Sequence, residues 1–256
     1  LDPVSLQAVA PALALLSGEH SLTDNWLRHL QPHGLLDNIR LQHQLGSDDW
    51  QLTTRLQQVS WQQWDKLPGV AQLDGDLRLT PHEGRLALQM GEQTLRVGPL
   101  FPADIPLQQA SATLQWQQTP TGWSLSSEAV EVKTPVLHSQ GQFTLTLPAQ
   151  ASPHLSLLAS IDLQDAGQAW RYYPRLAMGQ PLVDYLTAAL QKGQVDGATL
   201  LWNGPLDEFP YHDGGGVFQV AVPLRHARFQ FDPAWQPLDD LSLDLLFHND
   251  ELEMRS

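Results

Sequence analysis

The sequence predicts a mainly β protein with short helical insertions, in which a long, curved antiparallel sheet is built in two stretches. Three observations lead to this prediction. Apolar and polar residues alternate with period two through most of the 256 residues, which is typical of strands with one apolar and one solvated face. Only two segments have the three- and four-residue spacing of helices. A helix followed by a strand occurs once in each half of the chain.

The first predicted helical segment covers residues 1–33. Apolar side chains recur at helical spacing over residues 4–16. A second short helix over residues 23–30 is expected to end at Pro32 and Gly34, because proline and glycine commonly stop helices.

The second predicted helical segment is a helical pair over residues 164–192. Pro174 ends its first short helix, Pro181 lies near the start of the next, and Gly193 ends that helix.

The remaining chain is predicted to be antiparallel sheet, over residues 34–163 and again over residues 193–256, where the sheet is cut off at the C-terminus. The intervening residues of the alternating runs are mostly Gln, Thr, Ser, Arg and Asp. Residues 81–84 and 119–122 are typical of hairpin loops. Turn residues between the alternating runs indicate that successive strands are joined as hairpins.

An internal similarity links the two halves. Seven positions recur 159 residues later: Trp26-Leu27, Gly34, Leu36-Asp37, Ile39 and Leu41 correspond to Tyr185-Leu186, Gly193, Val195-Asp196, Ala198 and Leu200. A helix–strand unit repeated twice favours an elongated, extendable architecture over a closed enzyme domain.

Composition excludes several classes of function. Fourteen Lys and Arg against 28 Asp and Glu give a net charge of −14, so the chain lacks the cationic surface that nucleic acids bind. Cysteine is absent, which removes disulfides and thiolate metal sites. The longest apolar run, residues 8–16, is far shorter than the about 20 residues of a spanning helix. Because the chain starts without Met, we expect a piece of a longer protein, which leaves an anchor elsewhere open.

No strong catalytic motif is present. The run His212-Asp213-Gly214-Gly215-Gly216 resembles an oxyanion-hole loop, but no nucleophile elbow follows it, so a turn is the better interpretation. His29 and His33 are separated by Pro32, which breaks the helix that could hold a metal between them. Three carboxylate pairs lie at strand entries or turns: Asp48-Asp49, Asp74 with Asp76, and Asp239-Asp240. We predict no enzyme activity, no metal site and no cofactor.

The apolar face of such a sheet must be covered. The helical segments are too short to cover roughly 14 strand-like runs, which in one sheet would extend roughly 65 Å at about 4.8 Å per strand. The cover is therefore a second sheet or a molecule that is not protein. A closed β-sandwich, acting as a binding or scaffold module of the cell envelope, stays open as an alternative. Trp123, Trp202 or Trp235 would then be exposed platforms for a glycan.

An ordered series of residues in the second half resembles a known family. It comprises Trp170-Arg171-Tyr172-Tyr173-Pro174, Gly179-Gln180, Leu182, Asp184-Tyr185-Leu186, Gly193, Asp196, Ala198, Leu200, Phe209-Pro210-Tyr211, Gly216, Phe218, Pro223-Leu224, Phe229, Phe231, Pro233, Trp235 and Pro237. Over residues 167–254 the chain resembles the YhdP branch of the AsmA-like proteins of Gram-negative bacteria. The first half is similar only in its pattern of helices followed by amphipathic strands. We interpret eleven of these residues as structural: Trp170, Arg171, Tyr172, Pro174, Gly179, Asp184, Tyr185, Gly193, Phe209, Pro210 and Trp235.

The resemblance implies a location and a ligand. Proteins of this family look like bacterial relatives of the bridge-like lipid-transfer proteins. An N-terminal helix anchors them in the inner membrane, and they project through the periplasm towards the outer membrane. The implied partners of this chain are phospholipid acyl chains and the rest of the parent chain with its anchor. Two cut ends of the sheet would also expose unpaired strands, through which the isolated fragment could dimerise.

The leading hypothesis is therefore a groove segment that conducts phospholipid between two membranes. Its apolar residues would line the groove, without catalytic groups. The candidates are Leu77, Leu79, Leu86, Leu88, Leu114, Trp116, Leu125, Phe143, Leu145, Leu147, Leu200, Trp202, Phe218, Val220, Phe229, Phe231, Leu243, Leu245 and Phe247.

Overall fold

The computed structural model describes residues 3–8, 29–43, 46 and 49–255. Within these residues the chain forms one antiparallel sheet of 13 strands that is not closed into a barrel, and a separate sheet of two strands. The predicted fold class, mainly β with short helices, is confirmed. All 13 strands are hydrogen-bonded neighbours in one sheet, whereas a sandwich of two separate sheets would divide them.

Strand order in the large sheet follows chain order, with one insertion. The strands are β1 Val4–Ser5, β2 His33–His43, β3 Trp50–Trp61, β4 Val70–Leu79, β5 Glu83–Met90, β6 Gln93–Leu95, β7 Ile105–Leu107, β8 Gln109–Thr119, β9 Gly122–Lys133, β10 Leu137–Pro148, β11 His154–Leu163, β12 Leu190–Pro205, β13 Val217–Phe229, β14 Leu238–His248 and β15 Glu251–Arg255. β6 and β7 pair with each other, so β5 pairs directly with β8.

Three helical elements connect β11 to β12. They are a 3₁₀ helix, Ala166–Tyr172, and two α-helices, α1 (Arg175–Met178) and α2 (Gln180–Ala189). The Asp165 side chain caps the 3₁₀ helix by accepting a hydrogen bond from the Gly167 N–H at 3.0 Å. Pro174 precedes α1, and Gly179, with φ at 74°, separates α1 from α2.

The N-terminal segment differs from the expectation of a wholly helical stretch. Val4–Ser5 form β1 and pair with β2 instead of starting a helix. Residues 6–8 and 29–30 are helical, and the rest of the two predicted N-terminal helices lies outside the described residues. Pairing satisfies the backbone of Val4–Ser5 through a strand that is distant in sequence, which side-chain spacing alone cannot reveal.

Helical residues precede a long hairpin in two places among the described residues. After residues 29–30, which are helical, the Gln62 N–H donates a hydrogen bond of 2.9 Å to the Leu30 carbonyl. At the end of α2, the Gln230 N–H donates a hydrogen bond of the same length to the Ala189 carbonyl. The same contact therefore joins the helix to the following hairpin in both units.

A glycine lies close to the start of the first strand of each unit. Gly34 has φ at 137° and Gly193 has φ at 146°, which side chains rarely adopt. A Cβ on Gly34 would lie 2.8 Å from Val59 Cα, and one on Gly193 would lie 3.1 Å from Ala227 Cα. The approach leaves no room for a Cβ at Gly34 and little room for one at Gly193.

Bulges interrupt the register at matching places in the two units. In the first strand of each, Asn38 (φ 52°) and Gly197 (φ 70°) lie at a register shift. In the second strand of each unit, Gln58 and His226 both have φ at 51°, and each lies at a further register shift. Since a bulge bends its strand and increases the local twist, both units bend at the same positions.

Two buried apolar clusters lie at the strand ends where the helices attach, called the helical end below. The first contains Leu36, Leu56, Val59, Val70 and Leu73. The second contains Leu163, Ala166, Ala169, Val195, Ala198, Leu224 and Ala227. The opposite strand ends, called the turn end, are joined by short connections at residues 80–82, 120–121, 149–153 and 249–250 and by a longer loop at residues 206–216.

Candidate functional site

The cross-strand register places most of the apolar strand residues on one face of the sheet. Paired residues of an antiparallel sheet point to the same side, so a row of them is a row of adjacent side chains. Nearest the turn end, one row runs from β2 to β11 through Leu41, Leu52, Leu79, Gly84, Trp116, Leu125, Leu145 and Leu155. The Trp116 indole lies against Gly84, where a Cβ would collide with it.

Two further rows lie on the same face, closer to the helical end. One passes through Leu77, Leu86, Leu114, Ser127, Phe143, Leu157, Trp202 and Phe218. The next passes through Leu88, Ala112, Val130, Gly141, Ala159, Leu200, Val220, Phe247 and Leu252. The apolar surface is therefore continuous from β4 to β15.

The remaining candidates extend this surface at its margins. Leu147 pairs with Trp123 at the turn end, and Leu243 and Leu245 continue the face on β14. Phe229 is the last residue of β13, and Phe231, just beyond it, lies with its ring centroid 4.6 Å from that of Phe229.

The opposite face of the sheet is mainly polar, although Leu158 and Leu201 pair with each other on it and are 48% and 37% exposed. A row on that face passes through Thr53, Arg78, Arg85, Gln115, Ser126, Thr144, Ser156 and Asn203. Its side chains bond to one another or to neighbours, as where Ser156 Oγ donates to Asn203 Oδ1 at 2.7 Å. A face of mainly polar side chains can remain exposed to water without a cover.

The apolar face is only partly covered. None of the nineteen candidates is fully buried, and Leu147 and Phe231 are 39% and 37% exposed. By contrast, Leu73 and Ala227 at the helical end are 2% and 0% exposed. The 3₁₀ helix and α2 contact β12, and β6 contacts β4. Burial is therefore concentrated at the helical end, and the rows nearer the turn end stay accessible.

A single long loop at the turn end folds over this face. We call residues 206–216 the aromatic lip. Phe209 stacks on Trp202 with 4.9 Å between ring centroids and meets Phe218 edge-on at 5.3 Å. Tyr211 is 2% exposed, and its hydroxyl oxygen accepts a 2.7 Å hydrogen bond from Trp202 Nε1. Burial raises the pKa of Tyr211 above its ordinary value, so the phenol stays neutral.

The family-motif residues of the helical insertion make structural contacts. The Arg171 guanidinium lies 4.7 Å from the centroid of the Trp170 ring, and the Tyr172 hydroxyl hydrogen-bonds the Thr134 hydroxyl at 2.8 Å. Burial raises the pKa of Tyr173 to about 12.

Further motif residues lie around α2 and in the loop after β13, while Phe209 and Pro210 belong to the aromatic lip. Gln180 Nε2 donates to Asp184 Oδ1 at 2.6 Å within α2. Tyr185 is 44% exposed and meets Phe229 edge-on at 6.4 Å, while Trp235 is 66% exposed.

The carboxylates considered for catalysis are engaged in structural contacts. Asp76 pairs with Arg55 at 3.3 Å, and Asp74 Oδ1 accepts a 2.9 Å hydrogen bond from the Gln58 N–H at a bulge. Asp239 and Asp240 pair with Arg228 and His226 at 3.3 and 2.7 Å. His212 pairs with Asp250 at 3.2 Å. Asp48 lies outside the described residues, among which no group of three or more His, Asp or Glu could hold a metal ion.

Sequence reasoning missed two parts of this surface. Leu52, Leu155 and Leu157 lie in the rows above although they were not among the candidates. Their period-two alternation is the signal that could have included them. The anchoring role of Tyr211 has no such signal, because it depends on the hydrogen bond to Trp202 and on the absence of side chains at two nearby glycines.

These features define a class of protein. A single open antiparallel sheet, built from a repeated helix–strand unit and carrying one continuous, partly exposed apolar face, is a repeat-type β protein with an extended apolar surface. The family model described as YhdP protein matches residues 1–256. The chain belongs to the YhdP family, and the match includes the first half, where the sequence was similar only in its pattern.

A curated relative supports this assignment. The chain is 36% identical over 260 residues to the intermembrane phospholipid transporter YhdP of Escherichia coli strain K12. The match covers 100% of this chain but 20% of the relative, so the chain spans about a fifth of that protein's length. No solved structure matches the chain. Among the described residues, no helix is both long and apolar enough to span a bilayer.

Proposed function

We propose that this chain is a segment of a phospholipid transporter, and that its apolar sheet face forms an open groove for acyl chains. The observation that carries the proposal is the set of adjacent rows across the sheet in which most side chains are partly exposed Leu, Trp and Phe. The relative's activity, intermembrane phospholipid transport, supports the same ligand. No catalytic residue and no cofactor take part in this function.

The proposed groove would lower the free-energy cost of moving acyl chains between two membranes. Exposing a phospholipid with two chains of about 15 methylenes to water costs on the order of 24 kcal/mol, at about 0.8 kcal/mol per methylene. A continuous apolar surface lowers that cost at every position along the path, so a lipid can advance without crossing a step of that size. Contacts of this kind are non-directional, which suits movement better than tight, specific binding does.

The aligned bulges give the sheet its proposed curvature. Bulges occur in β2, β3, β12 and β13, and the register shift opposite Gly141/Phe143 arises from an extra residue in β9, between Ser127 and Val130. Because each bulge bends its strand, a line of bulges running across successive strands folds the sheet along that line. The resulting groove runs perpendicular to the strands, with the helical end as its more covered wall.

The groove also has a proposed length and location. Thirteen strands spaced about 4.8 Å apart make a path of roughly 60 Å within this chain. We propose that the segment lies in the periplasm as part of a protein anchored in the inner membrane. Lipid head groups would then remain in water along the open side of the groove.

Lipid that copurifies with the protein tests this function. The full chain is purified without detergent and extracted, and phospholipid is quantified by mass spectrometry. We expect about one phospholipid per chain or more, because the apolar rows are otherwise exposed to water. Leu125 and Ser126 are adjacent on β9 and belong to rows on opposite faces. Leu125→Asp should therefore lose bound lipid, and Ser126→Asp should retain it. Absence of lipid from the native protein, or equal retention by both variants, would contradict the proposal.

A further inference from the structure

The aromatic lip is the one elaborate connection at the turn end of the described strands. The other described connections there span two to five residues, whereas the lip occupies residues 206–216 between β12 and β13. A loop of this length is not needed to join two antiparallel neighbours. Its structure therefore points to a role beyond chain reversal.

Tyr211 anchors the lip to the sheet. Its ring lies where side chains on Gly204 and Gly216 would stand, since a Cβ on those residues would be 2.7 and 2.6 Å from the ring. Together with the hydrogen bond from Trp202, these contacts fix the position of the loop. The lip is thus held over the apolar face and has a defined conformation.

The anchored Tyr211 holds the neighbouring Phe209 against the apolar face of the sheet. The Phe209 ring packs on the rings of Trp202 and Phe218, the last two members of the second apolar row, on β12 and β13. These three aromatic side chains remain partly exposed, whereas Tyr211 is buried. The preceding residues, Asp207 and Glu208, are exposed carboxylates. The lip therefore has an apolar side facing the sheet and a charged side in water.

We propose that Phe209 contacts the acyl chains of lipid in the groove, and that the aromatic lip covers the groove where lipid passes β12 and β13. This inference rests on the proposed function and adds a residue outside the sheet to the lipid path. The ring of Phe209 gives the chains a second apolar wall, while Asp207 and Glu208 keep the outer side of the loop hydrated. The lip would hold acyl chains against the sheet at a place where the groove is otherwise open.

Photolabelling of the native protein tests the contact without altering the fold. The full chain is loaded with a two-chain phospholipid carrying a diazirine at mid-chain, irradiated, digested and mapped by mass spectrometry. We expect labels at Leu145 in the open rows and at Phe209 in the lip, and none at Thr144, which lies on the polar face. A matched Phe209→Ala variant should lower labelling of residues 206–216 by about fivefold and leave labelling at Leu145 unchanged.

The outcomes separate the two proposals. Labelling at Leu145 without any in residues 206–216 would overturn the role of the lip and leave the groove intact. Labelling at neither site would overturn the proposed function itself. Labelling at Thr144 as strongly as at Leu145 would mean that the lipid does not distinguish the two faces, which contradicts both proposals.

Discussion

At the scale of single residues, Tyr211 anchors the aromatic lip through the packing of its ring against Gly204 and Gly216 and through one hydrogen bond. Trp202 belongs to the apolar rows and Tyr211 belongs to the lip, and the 2.7 Å bond between them joins the two. Trp202 Nε1 lies at a partly buried site, where a donor without a partner is costly.

Removing the hydroxyl group of Tyr211 should destabilise the protein. In Tyr211→Phe the Trp202 N–H loses its acceptor, and we expect a loss of about 1 kcal/mol in the free energy of unfolding. Urea denaturation followed by circular dichroism measures it. Tyr185→Phe is the control, because the Tyr185 side chain is 44% exposed and should tolerate the change. Equal stability of both variants and the native chain would contradict the anchoring role.

Glu131 provides a pH-dependent prediction on the polar face. Hydrogen bonds from Lys133, at 2.8 Å, and from His138, at 3.0 Å, lower the pKa of Glu131 from 4.5 to about 2. A lowered pKa in the folded state means that the ionised form favours folding. This contribution is fully present above pH 4.5 and is lost as the pH falls towards 2.

Carbon NMR of the Glu131 carboxyl group measures this directly. We expect a titration midpoint near 2 in the native chain. In Lys133→Met the largest cause of the shift is gone, so the midpoint should move towards 4.5. A native midpoint at the ordinary value would show that the two hydrogen bonds do not form in solution.

At the scale of elements, the repeated helix–strand unit depends on one close backbone approach. Gly193 combines a φ of 146° with a Cβ position 3.1 Å from Ala227 Cα. We expect Gly193→Ala to cost about 1–3 kcal/mol of folding free energy, since strain and contact add. Gly91 has no atom within 4 Å of its Cβ position, so Gly91→Ala is the control. Thermal unfolding should separate the variants, and similar melting temperatures would contradict this account of the unit.

Much of this element structure follows from the sequence. Alternation with period two predicts the long strands, and the spacing of Gly34 and Gly193 predicts the repeated unit. The bulges at Gln58 and His226 do not follow, because a positive φ at a polar residue depends on pairing with neighbouring strands. The β6–β7 sheet was not expected either. Its three-residue strands are too short to show a period.

The candidate site could be predicted only as a set of residues. Alternation indicates which side chains share a face, but a packed core and an open surface have the same pattern. Leu73 and Leu79 illustrate this, since both lie in β4 and the first is buried while the second is partly exposed. The difference arises from elements distant in sequence, such as β6, that cover only the helical end.

At the scale of the whole molecule, the two faces of the sheet have different roles. One face carries mainly polar side chains. The apolar face is buried near the helices and accessible towards the turn end. If this accessible surface is the lipid path, a charge placed on it should stop transport without unfolding the sheet, and the same charge on the polar face should have no effect. Leu145 and Thr144 allow this comparison, because they are adjacent on β10 and belong to rows on opposite faces.

The rate of phospholipid transfer by the full chain between donor and acceptor vesicles, measured for Leu145→Asp and Thr144→Asp, tests the central claim most directly. We expect Leu145→Asp to lower the rate by at least about tenfold, because a carboxylate among acyl chains must be desolvated. Its melting temperature should stay close to the native value, since Leu145 is only partly buried. Thr144→Asp should leave both quantities unchanged. Native transfer rates in a folded Leu145→Asp variant, or its complete unfolding, would contradict the account, because the apolar face would then be either outside the lipid path or a closed core.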